Sequence, residues 1–117
     1  MRAWLSLSVA DFLAAPAGTI VSQLAEAQAR RFRGSEPDQV GAWDEQVSVL
    51  RAALRPMPGG WWLLLEAEMV RLGRRADAVL LCDRAALVME FKRGTDGHAA
   101  AALREAEDYA LDLHDFL

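Results

Sequence analysis

The sequence predicts a mixed α/β (α+β) domain, in which a helix leads into a three-stranded, mostly antiparallel sheet and a further helix closes the chain. Three observations carry that expectation. Residues 39–54 place Trp43, Val47, Leu50 and Leu54 at helical spacing, which gives one buried stripe. Three apolar runs, Trp61 to Val70, Ala76 to Cys82 and Ala86 to Lys92, have the length of strands and are parted by short polar or glycine-containing turns. From Ala99 to Leu117 the helical period returns, with Ala102, Ala106, Tyr109, Leu113 and Leu117 among the inward positions.

Taken in order, residues 1–33 read as an N-terminal helical segment and 39–117 as the core, the two forming one compact domain. Ser8 or Asp11 can cap a short first helix, which breaks near Pro16-Ala17-Gly18, and Thr19 can cap a second. In the second helix Ile20, Leu24 and Ala27 form the inner stripe and Phe32 closes it. The basic cluster Arg30, Arg31 and Arg33 is either a solvated helix end, favoured there by the helix dipole, or a contact for a phosphate backbone. Gly34 to Asp38 is a loop, and the pair of prolines and glycines from Pro56 to Gly60 ends the next helix. Leu64, Glu66, Glu68 and Val70 share one face of the first strand if its pleat is regular. Glu66 and Glu68 then either support a metal site through water or pair, on an edge strand, with Arg71, Arg74 or Arg75.

Length and composition set limits on function. A chain of 117 residues makes one domain, too small for a nuclease domain plus a motor. With 17 acidic and 13 basic residues it carries a formal charge of -4, so it has no global basic field and any nucleic-acid binding must use a local patch or a neighbour. The single cysteine, Cys82, excludes an internal disulfide and a multi-cysteine zinc site and suits a reducing, cytoplasmic setting. It reads as a packing residue. Asp11 interrupts the N-terminal apolar run, and no continuous apolar span of about 20 residues occurs, so neither a signal peptide nor a membrane helix is expected. His98 and His114 have no partner at metal-ligand spacing.

Chemistry concentrates in the hairpin from 74 to 92. Val88, Glu90 and Lys92 share a face of its second strand, and Asp77, Val79 and Leu81 share a face of its first. If the turn is Asp83-Arg84, Cys82 pairs with Ala85, and counting back sets Asp77 opposite Glu90. Two carboxylates brought together away from bulk water repel and lose hydration, so the arrangement requires a cation. That cation is either a hard divalent metal such as Mg2+, held by Asp77 and Glu90 with water and substrate phosphate, or a cluster of Arg74, Arg75 and Lys92 at the mouth of the hairpin.

Asp77 followed by Glu90-Phe91-Lys92 on the next strand resembles the PD-(D/E)XK nuclease signature. The wider text, Leu65-Glu66-Ala67-Glu68, Gly73 to Leu81, Met89 to Lys92 and Asp108 to Leu113, is similar to the nuclease-like domain that precedes a P-loop helicase in a bacterial family related by architecture to Schlafen-type helicases. The similarity runs from Trp4 through Trp43 to Phe116. It implies a restriction-endonuclease-like core and a metal-dependent nuclease acting on DNA or RNA. Asp77 and Glu90 would be metal ligands, the Phe91 carbonyl a further one, and Lys92 the group that orients or deprotonates the attacking water. Mg2+ or Mn2+ would be the cofactor and a helicase domain the neighbour. Related folds present a helix-borne Glu to the metal; here Gln46 lies at the corresponding face, with Glu45 turned outward. RecB-type nucleases carry a Gln-x-x-x-Tyr pair after the Glu-x-Lys strand; Tyr109 matches, but Glu105 stands in place of Gln, and an ionised Glu accepts hydrogen bonds only and repels phosphate. The resemblance also implies a sixth element, a strand beside the third one, which the chain is expected to lack, leaving a truncated or partner-completed domain with an open sheet edge suited to a homodimer. An inactive module that binds nucleic acid or protein, or a remnant without activity, is the alternative expectation.

Overall fold

The computed structural model describes residues 2–31, 37–69, 73–92, 102–103 and 107–109. Its elements run β1 (Arg2–Ser8), α1 (Val9–Ala14), α2 (Ala17–Arg31), α3 (Pro37–Leu54), β2 (Trp62–Met69), β3 (Arg74–Leu81), β4 (Ala86–Met89), β5 (Phe91–Lys92), β6 (Ala102–Leu103) and β7 (Glu107–Tyr109). The architecture is mixed α/β. An open antiparallel sheet of order β1-β2-β3-β4-β7 carries the helices, and β5 pairs with β6 in a separate two-stranded ladder.

The N-terminus departs from the helical expectation. Residues 2–8 form a strand, in which Ala3, Leu5 and Leu7 alternate with Arg2, the buried Trp4, Ser6 and Ser8, and it pairs with β2 from Arg2↔Glu68 to Ser8↔Trp62. Consequently β2, expected at an edge, lies inside the sheet. Ser8 ends β1 and caps α1, its Oγ accepting the Asp11 N–H at 3.1 Å. Two further donors of that first turn reach the chain entering β2: Val9 N–H to the Trp61 carbonyl at 2.8 Å and Ala10 N–H to Gly59 at 3.0 Å. Gly59 permits this approach, since a Cβ there would meet the Ala10 Cβ at 3.1 Å. Thr19 lies inside the first turn of α2, whose entry is held by Pro16, its carbonyl accepting the Thr19 N–H at 3.0 Å. Pro37 opens α3, where its missing N–H costs nothing.

The helices and one sheet face share the main core. Phe12, Leu24, Trp43 and Leu50 meet Leu63, Leu65, Leu80 and Met89, all buried. Arg51 of α3 donates to the carbonyls of Ala15 at 2.6 Å and Leu13 at 3.4 Å, answering the exposed end of α1. The other sheet face carries a second buried cluster, Leu64, Ala67, Met69, Ala76, Val79, Ala86 and Val88.

The closing segment also differs from expectation. Where a helix over 99–117 is predicted, the structure has strands at Ala102–Leu103 and Glu107–Tyr109, and β7 pairs with β4 through Ala86↔Tyr109, Leu87↔Asp108 and Val88↔Glu107. The sheet therefore has a strand beside β4, at the position the sequence reading leaves empty. The physical reason is the open edge of β4: its backbone donors and acceptors gain partners from a strand and none from a helix. Among the described residues no helix is long and apolar enough to cross a membrane.

Candidate functional site

The hairpin register agrees with the sequence reading. Cys82 N–H donates to the Ala85 carbonyl at 2.8 Å across the Asp83-Arg84 turn, and the ladder runs from Leu81↔Ala86 to Ala78↔Met89. One step further sets Asp77 opposite Glu90. The ladder ends there, because the Asp77 Oδ2 accepts the Phe91 N–H at 2.8 Å and separates β4 from β5. Asp77 and Glu90 are both half-buried. Lys92 is placed by its backbone in β5, two residues beyond Glu90, and its side chain lies outside the described residues.

A feature absent from the sequence reading lies on the same row. The pairs Ala3↔Ala67↔Ala76 and Leu5↔Leu65↔Ala78 keep one register on either side of Trp4, Glu66 and Asp77. Yet Ala3, Ala67 and Ala76 pack with the far-side cluster, while Leu5, Leu65 and Ala78 pack with the helix-side core. Residues two apart on a regular strand share a face. All three strands thus change pleat at this row. Glu66 marks the cause, with a left-handed φ of 53° in mid-strand, a conformation that costs a non-glycine residue roughly 1–2 kcal/mol.

The turn carries Glu66 to the helix side, away from Leu64. There it is 2% exposed, accepts the Trp43 Nε1–H at 2.9 Å and pairs with Arg75 Nε at 2.7 Å. Burial raises its pKa; the Trp43 hydrogen bond and the Arg75 charge oppose the rise, and the nearby Asp77 charge adds to it. Of the two alternatives for Glu66, the pairing with Arg75 forms, but on a buried side chain inside the sheet and not on an edge strand. The Arg75 guanidinium lies 4.4 Å from the Trp4 ring centroid, and Trp4 in turn meets Trp43 edge-on at 6.0 Å.

Glu66 on β2 and Asp77 on β3 therefore occupy one row, with Glu90 just beyond the end of β4. Leu87, Met89 and Phe91 keep to the helix-side core while β3 changes pleat at Asp77, so the shared face expected of Asp77 and Glu90 does not follow from alternation. Arg75, one of the cations offered as a partner for the hairpin acids, is engaged with Glu66. Gln46 is half-buried one turn along α3 from Trp43. Glu105 lies outside the described residues. Tyr109 is placed by its backbone in β7 opposite Ala86, its side chain outside the described residues, and the helical adjacency expected of these two is not formed. His98 and His114 also lie outside the described residues. Among the described residues no group of three or more His, Cys, Asp or Glu side chains is arranged to hold a metal. A metal on this row would rest on the Asp77 and Glu90 carboxylates, with water filling the remaining positions, a hard and sparsely liganded set that suits Mg2+ or Mn2+ better than Zn2+. Signals for the missed features were present in the sequence: the alternation of Ala3, Leu5 and Leu7, and an acid in the midst of the apolar run Trp62 to Met69.

Compared with protein-family models, curated proteins and solved structures, the chain matches none.

Proposed function

We propose that the chain is a metal-dependent nuclease-like domain of the PD-(D/E)XK kind, acting on DNA or RNA phosphodiesters and working beside a helicase. The observation that supports it is the hairpin register, whose ladder runs to Ala78↔Met89, so that Asp77 and Glu90 are the next residues on either side and Lys92 follows two residues beyond Glu90. Asp77 and Glu90 would hold Mg2+ or Mn2+, which when bound lowers the pKa of a water and neutralises charge on the phosphate. The Phe91 N–H fixes one oxygen of Asp77 and so orients its carboxylate. Lys92 orients the attacking water or takes its proton.

A second reading, an inactive nuclease-like module that binds nucleic acid or protein, is favoured by the fact that among the described residues no three His, Cys, Asp or Glu side chains are arranged to hold a metal. Cleavage of end-labelled single- and double-stranded DNA and RNA, with Mg2+ or Mn2+ against chelator, separates the two. The nuclease reading expects metal-dependent cutting that falls about a hundredfold or more in Asp77→Ala, Glu90→Ala and Lys92→Ala. A folded natural chain that cuts nothing, or variants that cut as it does, would leave the binding module.

A further inference from the structure

The local basic patch that an acidic chain needs for nucleic acid is visible two rows along the sheet from the row of Glu66 and Asp77. The pairs Arg2↔Glu68 and Glu68↔Arg75 place two arginines on either side of one glutamate. Arg31, in the last turn of α2, reaches the same glutamate at 3.7 Å. Arg75 and Arg31 also share the Trp4 indole, their guanidinium carbons 4.4 and 5.4 Å from its centroid. Arg2, Arg75 and Arg31 thus meet around Glu68, three cations about one exposed acid in a chain whose net charge is negative.

The geometry leaves these cations available. Arg75 offers Glu66 only its Nε, so its terminal nitrogens are not used in that bond, and its side chain is 38% exposed. Arg31 is 33% exposed, and its pairing with the 43% exposed Glu68 is long and screened by water. Arg31 Nη1 also donates to the Ala27 carbonyl at 3.5 Å, and a guanidinium held over an indole is pre-ordered while its remaining donors can meet phosphate oxygens. Glu66, the anion that would most oppose a phosphate here, is the group whose charge burial disfavours.

We propose that Arg75 and Arg31, stacked on Trp4, form a phosphate-binding site that holds the nucleic-acid strand beside the Asp77–Glu90 row. This rests on the nucleic-acid reading above but not on catalysis. Arg75 precedes Asp77 by two residues on β3, which sets the site two rows along the sheet from Asp77.

The test is fluorescence anisotropy with a fluorescein-labelled single-stranded oligonucleotide in chelator, over a series of salt concentrations. Arg31→Ala, Arg75→Ala and Arg75→Lys are compared with the natural chain and with Arg55→Ala, an exposed arginine in the turn after α3. The expected result is several-fold weaker binding in both alanine variants, a salt slope shallower by about one, partial rescue by Arg75→Lys, and no change in Arg55→Ala. Arg75→Ala also removes the partner of a buried acid, so its fold is checked by circular dichroism; Arg31→Ala, which touches no buried charge, decides the matter if Arg75→Ala is unfolded. No binding by the natural chain, or Arg31→Ala and Arg75→Lys binding with its affinity and slope, would overturn the inference. Binding with the expected slopes but no metal-dependent cleavage would sustain the phosphate site and remove catalysis; cleavage unaffected by the arginine variants would do the reverse.

Discussion

At the scale of single residues, Glu66 links packing to the site. Its left-handed backbone and its burial are both unfavourable, and they persist because Trp43 and Arg75 answer the carboxylate. Burial raises its pKa, so the folded chain binds that proton more tightly than the unfolded chain does. The stability it contributes is then full below the ordinary glutamate range and is lost as pH rises through the raised value. Glu66→Gln does not titrate. In urea unfolding across a pH series, the stability of the natural chain relative to Glu66→Gln should therefore fall as pH rises above the ordinary glutamate range; a difference that stays flat or grows would contradict the assignment. The acid was legible as an anomaly in an apolar run. Its direction was not, because face assignments by alternation assume a regular pleat, and one positive φ reverses them from Glu66 onward.

At the scale of elements, legibility followed how local the determining contacts are. Asp83-Arg84 sets the hairpin register through a neighbouring backbone bond, Cys82 to Ala85, and could be counted from the sequence. The cap of α1 is equally local: removing the Ser8 Oγ should cost about 1 kcal/mol in Ser8→Ala and only a few tenths in Ser8→Gly, read by urea unfolding. An equal loss in both variants would place the effect in β1 instead of the cap. By contrast, β1 and β7 depend on partners some 60 and 20 residues away, Arg2 with Glu68 and Tyr109 with Ala86, which local periodicity does not reveal. The helical spacing of the closing segment was real in the sequence, and edge pairing with β4 overrode it. The pleat change at Trp4, Glu66 and Asp77 spans three strands at once and has no local signature.

At the scale of the molecule, charge is divided in a way that net charge conceals. A chain of formal charge -4 sets Arg2 and Arg75 on either side of Glu68, with Arg31 reaching the same glutamate, and places Asp77 two rows further along β3. Such an arrangement suits a substrate that is itself an anion and is processed with a cation. Whether Asp77 and Glu90 hold a metal is read by calorimetric titration of Mn2+ and Mg2+ into the natural chain, Asp77→Ala and Glu90→Ala. Saturable binding by the natural chain is expected, abolished in both variants while their circular dichroism stays unchanged. A folded natural chain that binds neither ion up to about millimolar concentration, or variants that bind as it does, would contradict it.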